Sequence, residues 1–278
     1  MEKQTAYTLL SRSFFMTFGM WAVWFCANAF LNGDVWAGMT VSKSALTAEY
    51  CEFNNVARFF HQRMNTYSNL AYFFFGLVIL QVGLADRKNQ DTQSKNRLEA
   101  FPLLSILLGI CFIYLCFGSA FFHASLTYAG QRVDMNGTYA LTLVLVSIAL
   151  YHVFYTVRFT STTERILVAF LAILVVLFLK IALLIPSGKL LPSLILTLLL
   201  LTAINYVQFR KERSGILAIL SFILIVVAIV VRTMDVQKMG CNPYSCYQGH
   251  ALWHLLTALS SVCTYAFFRL AGKTLIAV

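Results

Sequence analysis

The chain has 278 residues and a net charge of +10, with 59% hydrophobic and only 12% charged residues. A soluble domain carries about 25% charged residues, so this composition excludes a disordered chain and argues against a soluble enzyme. The apolar residues form long unbroken runs, not the alternating segments of about 10 residues that an outer-membrane β-barrel needs. The expected fold class is therefore all-α, a polytopic membrane protein. The basic residues are scattered among the connections, which makes them a topology signal rather than a nucleic-acid footprint. No nucleic-acid partner is expected, and nothing in the sequence sets an oligomeric state.

A helix that crosses the hydrocarbon core needs about 20 mostly apolar residues. The first apolar run, 13–31, follows Lys3 and Arg12. It reads as a retained signal-anchor helix or as a signal peptide cleaved at Ala27-Asn28-Ala29. Residues 1–32 form this unit, and 33–64 form the longest connection. A transmembrane domain at 65–278 then holds seven predicted spans, at 68–85, 101–123, 135–157, 165–185, 190–209, 214–231 and 250–271. With residue 1 on side B, that side collects 13 Lys and Arg against 8 on the opposite side A. The positive-inside rule then makes side A extracytoplasmic. Cys51, Cys241 and Cys246 fall in side-A loops, where a disulfide from Cys51 to Cys241 or to Cys246 suits an oxidising compartment. The C-x4-C pair at 241 and 246 is alternatively a metal ligand pair, but it lacks nearby thiolate partners.

Ionisable groups inside a span cost about 2.5–3.5 kcal/mol or more at its centre, so those present are functional candidates. Three clusters map to side A. His250 and His254 open the last span at i, i+4 spacing, which puts both imidazoles on one helix face. The same spacing relates Ser119 and His123 at the end of span 101–123. Three histidines at one depth supply a three-ligand zinc site with an open fourth position for water, whose pKa the metal lowers to roughly 7. Asp134 opens the next span and is placed to take a proton from that water; by itself it would read as an acid at a helix N-terminus. His152, 18 residues beyond Asp134, lies about 27 Å along the same helix and cannot share the site. His61 falls in the side-A loop. Asn65, Ser68 and Asn69 read as an interhelical hydrogen-bond patch, and Trp253 as an interfacial anchor.

Taken together, Glu49-Tyr-Cys-Glu52, Asn65-Thr-Tyr-Ser68-Asn69, Gly118-Ser119-x3-His123 with Asp134, and Gln248-Gly-His250-x3-His254 resemble the alkaline ceramidases. That family of membrane hydrolases shares a superfamily with the adiponectin and progestin receptors. The resemblance covers about 49–271 and implies a seven-helix bundle, to which this chain adds the helix at 13–31. It implies His123, His250 and His254 as zinc ligands, Ser119 as a group that steadies the oxyanion or positions the water, and Asp134 as general base. The implied reaction is hydrolysis of the amide of ceramide, a lipid substrate drawn from the bilayer. It also implies calcium at Glu49, Glu52 and Asn54 with the Tyr50 carbonyl. Gln62, however, stands where eukaryotic members have Glu, and the loop is one residue shorter. Without calcium, these acids read as a solvated cap on the helix. Two other functions fit the same residues: a lipid sensor with structural zinc, and a hydrolase of another lipid amide or ester. Ser119 and Asp134 favour an enzyme, since a structural zinc needs no open position.

Overall fold

Lipid offers no hydrogen bonds, so each apolar run must satisfy its backbone within its own helix. In the computed structural model the runs do so. It describes residues 3–89, 96–157, 160–181, 184 and 187–270, of which 3–6, 181 and 187 by backbone alone. The helices are α1 (Lys3–Phe30), α2 (Lys43–Leu46), α3 (Arg63–Ser68), α4 (Leu70–Lys88), α5 (Arg97–Ala100), α6 (Leu103–Ser125), α7 (Tyr128–Val153), α8 (Ser161–Ile181), α9 (Ser187–Gln208), α10 (Gly215–Val236) and α11 (Gly249–Arg269). Among the described residues eight helical stretches are long and apolar enough to cross a membrane, α3 and α4 together forming one of them. All the expected spans are present. The second starts at Arg63 rather than near 68, because Glu52 caps the turn that precedes the apolar run. The expected spans 165–185 and 250–271 reach outside the described residues at 182, 183, 185 and 271, as do Lys95, Arg158 and Lys273.

Four helices, α4, α6, α7 and α11, hold most of the buried core. They approach through small residues, as membrane helices do when dispersion rather than water drives packing. A Cβ on Gly109 of α6 would lie 2.7 Å from the Leu80 backbone nitrogen of α4. A Cβ on Gly118 would lie 3.1 Å from the Val133 carbonyl of α7. The α6–α7 turn is tight: Leu126 takes a left-handed φ of 54°, and the Thr127 hydroxyl caps α7 by accepting from Gly130 N at 3.1 Å. The end of α6 and the start of α7 are thereby held side by side.

Helix α1 lies outside this core but is tied to it. The fully buried Ser13 hydroxyl accepts from Gln81 Nε2 of α4 at 2.7 Å. Trp24 packs on Phe60, Tyr67 and Phe117, and Asn28 Oδ1 accepts from Phe60 N at 3.0 Å. On side A, Cys51 and Cys241 are joined by a disulfide, which settles the pairing left open by sequence. Cys246 is free and exposed.

Candidate active site

The side-A ends of α6 and α11 bring His123, His250 and His254 together, all three buried. One ring nitrogen from each lies within 4.8 Å of the others. The Nε2 atoms of His123 and His250 are 3.2 Å apart. Among the described residues this is the one group of three or more His, Cys, Asp or Glu side chains that converges in this way.

Two of the rings are oriented from behind. Gln62 Oε1 lies 2.7 Å from His123 Nδ1. Ser68 Oγ lies 2.7 Å from His254 Nδ1, and its own proton goes to the Asn65 carbonyl at 2.9 Å. Each Nδ1 therefore donates to an oxygen, which leaves the opposite Nε2 as a lone pair facing its neighbours. His250 is held by the Tyr50 ring, stacked at 3.9 Å. Buried imidazole lone pairs directed at one point suit a zinc ion, so the donor set fits that metal.

Beside the histidines is a cavity of about 330 Å³. Ser119, Asp134, His250 and His254 line its polar end, and Leu199 and Ile225 lie among its apolar walls from α9 and α10. Ser119 Oγ is buried beside the Asp134 side chain. All five residues expected in the catalytic and zinc sets therefore meet at this one place. Trp253, expected as an interfacial anchor, also lines the cavity, with the Arg232 guanidinium 5.8 Å from its ring centroid.

The candidate calcium residues diverge instead. Glu52 turns inward and accepts from Met64 N and Asn65 N, at 2.6 and 2.8 Å, capping α3. Asn54 Oδ1 accepts from Gln62 Nε2 at 2.7 Å. Glu49 faces Ser44 and pairs with Arg232 at 3.4 Å. Asn65 and Asn69 depart from the expected interhelical patch, because their side-chain amides bond to Gln62 and to backbone carbonyls of their own helix. Of that patch, Ser68 alone reaches across, to His254. His152 bonds to the Ile148 carbonyl, away from the site, as expected. His61 is buried and stays outside the converging group; burial lowers its pKa, partly offset by the Ser125 backbone.

The sequence reading missed Gln62 as a ring-orienting group and Tyr50 as a stacking partner. Both sit next to motif residues, but nothing in their spacing marks the contact.

The chain is thus an all-helical, multi-pass membrane protein with three buried histidines beside a cavity. The ceramidase family model matches residues 42–273, and the chain belongs to that family. It is accordingly an integral membrane enzyme that hydrolyses ceramide, with the bilayer as its setting and a lipid as its substrate. No curated protein and no solved structure matches it.

Proposed function

We propose that the chain is a zinc-dependent amidase that cleaves the ceramide amide inside the membrane, releasing a sphingoid base and a fatty acid. The observation that carries this reading is the convergence of His123, His250 and His254 on one point at the polar end of a cavity walled by α9 and α10. When bound there, zinc would polarise the amide carbonyl and acidify a water. The remaining steps fall to the chain's own residues. The Ser119 hydroxyl, beside Asp134, donates to the carbonyl oxygen as negative charge builds on it. The Asp134 carboxylate takes a proton from the attacking water and delivers it to the departing nitrogen. The new C–O bond forms as the carbonyl π bond opens onto its oxygen, and the C–N bond breaks once the nitrogen has received the proton. The apolar walls take the lipid chains, which reach the cavity from the bilayer between α9 and α10.

Two further points belong to this reading. Side A is extracytoplasmic, supported by the 13-to-8 distribution of basic residues and by the side-A disulfide. Helix α1 is retained as an eighth span, because cleavage at 27–29 would remove Trp24 and Asn28 from the loop that leads to Gln62. Intact mass and a reporter fused to the C-terminus test these two points.

The main test measures bound zinc and fatty-acid release from ceramide in the same detergent-purified sample. Wild type is expected to hold one zinc per chain and His254→Ala to lose both metal and turnover. Unchanged zinc in His254→Ala would sink this ligand set.

A further inference from the structure

We infer that this chain fastens its side-A loop with its own ammonium group and amides, and needs no calcium there. Calcium takes six to eight oxygen ligands in one shell. The oxygens that would supply them are here engaged separately, and positive groups stand among them.

The first engagement starts at the histidines. If His123 Nε2 is to serve as a ligand, its proton sits on Nδ1 and is donated to Gln62 Oε1, 2.7 Å away. That fixes the side-chain amide of Gln62. Its NH2 end must then face Asn54, whose Oδ1 accepts it at 2.7 Å. A cation on Asn54 Oδ1 would meet the amide hydrogen that Gln62 already places there. The acids are engaged too: both Glu52 oxygens accept backbone N–H groups of α3, while Glu49 pairs with the Arg232 guanidinium.

Lys238, in the loop after α10, occupies the remaining place. Its Nζ donates to the Ala48 carbonyl at 2.7 Å and to the Tyr50 carbonyl. A dissociable cation is thus replaced by one covalently attached to the chain, 188 residues from the carbonyl of the ring that stacks on His250. The Cys51–Cys241 disulfide joins the same two loops. A loop held by the Lys238 ammonium needs no further carboxylate at position 62, where Gln62 bonds instead to His123 and Asn54.

The test is calcium titration of the detergent-purified full chain, first freed of calcium, with thermal midpoint, bound calcium and bound zinc read on each sample. None of these readouts depends on turnover, so a failure here is distinct from a failure of the amidase reading. Wild type is expected to show no saturable calcium uptake and no shift in midpoint. Lys238→Ala should lower the midpoint by several degrees, and Lys238→Arg should restore much of that loss. Saturable calcium binding with a rise in the wild-type midpoint would overturn the proposal. An unchanged midpoint in Lys238→Ala would also overturn it. If Lys238→Ala fails to fold, the wild-type titration alone still decides.

Discussion

The inner helices α4, α6, α7 and α11 and the outer helices α1, α8, α9 and α10 are equally able to span a bilayer, but they are built on different rules. In α6 and α7, 61% of the most apolar stretch is buried in protein, against 6% in α1 and 17% in α10. The inner four carry close-approach glycines and every residue of the proposed metal and acid–base sets. Hydropathy does not separate the two groups, since outer α1 has a mean of 1.3 and inner α6 one of 2.3, whereas burial does. Hydropathy thus marks what can span, whereas the candidate site residues lie in the helices that protein buries. A helix can hold polar groups at membrane depth only where neighbours shield them.

The sharpest way to break this division is to change one inner polar group without disturbing packing. Asp134→Asn keeps the shape and removes the proposed base. Turnover should fall by roughly 10²–10⁴-fold with zinc content unchanged, as read by fatty-acid release and metal analysis. Near-normal turnover would place the acid–base chemistry elsewhere.

A smaller effect is expected one layer behind the ligands. Gln62→Leu and Ser68→Ala each remove the oxygen that holds a histidine Nδ1–H. Zinc affinity in a competition titration should drop about 10–100-fold for each, with the ligands themselves intact. Unchanged affinity would mean that helix packing alone aims the rings.

Smaller again is a matched pair of glycine changes. Gly109→Ala puts a methyl 2.7 Å from the α4 backbone. Overpacking of this kind costs about 1–3 kcal/mol. Gly19 of α1 has nothing within 4 Å of its Cβ position, so Gly19→Ala should leave the melting midpoint unchanged or slightly raised. Equal losses in both would erase the inner–outer distinction.

Much of this was legible from sequence. The spans follow from length and hydropathy, and the three histidines and Asp134 follow from i, i+4 spacing and position at span ends. The disulfide partner of Cys51 was not, since Cys241 and Cys246 lie in one loop and their sequence positions do not rank them. Gln62 and Tyr50 were also hidden. Their roles depend on how an irregular loop folds back over α6 and α11, and such a loop carries no periodicity. The start of the second span at Arg63 was obscured for a related reason. The polar first turn, α3, is stabilised by the Glu52 cap from another segment rather than by apolar residues of its own.

That cap carries the smallest prediction. Glu52 lies outside the spans, and burial pushes its carboxyl up to about 7 although the Met64 and Asn65 N–H groups pull it down. Arg63 also lowers it and Asp235 raises it. The folded protein therefore holds this proton more tightly than the unfolded chain does, whose value is 4.5. The stability gained is complete below about 4.5 and is lost as pH rises through about 7. His61 acts in the opposite sense, since burial lowers its pKa and stability is lost as pH falls below its ordinary value of 6.5. The quantity to measure is thus the difference in melting midpoint between wild type and Glu52→Gln at each pH. That difference should shift against the wild type between about 4.5 and 7 and level off above. A pH-independent difference would mean that the Glu52 carboxyl is not raised in the folded protein above its value in the unfolded chain, and that α3 is capped by an ordinary carboxylate rather than by a buried acid.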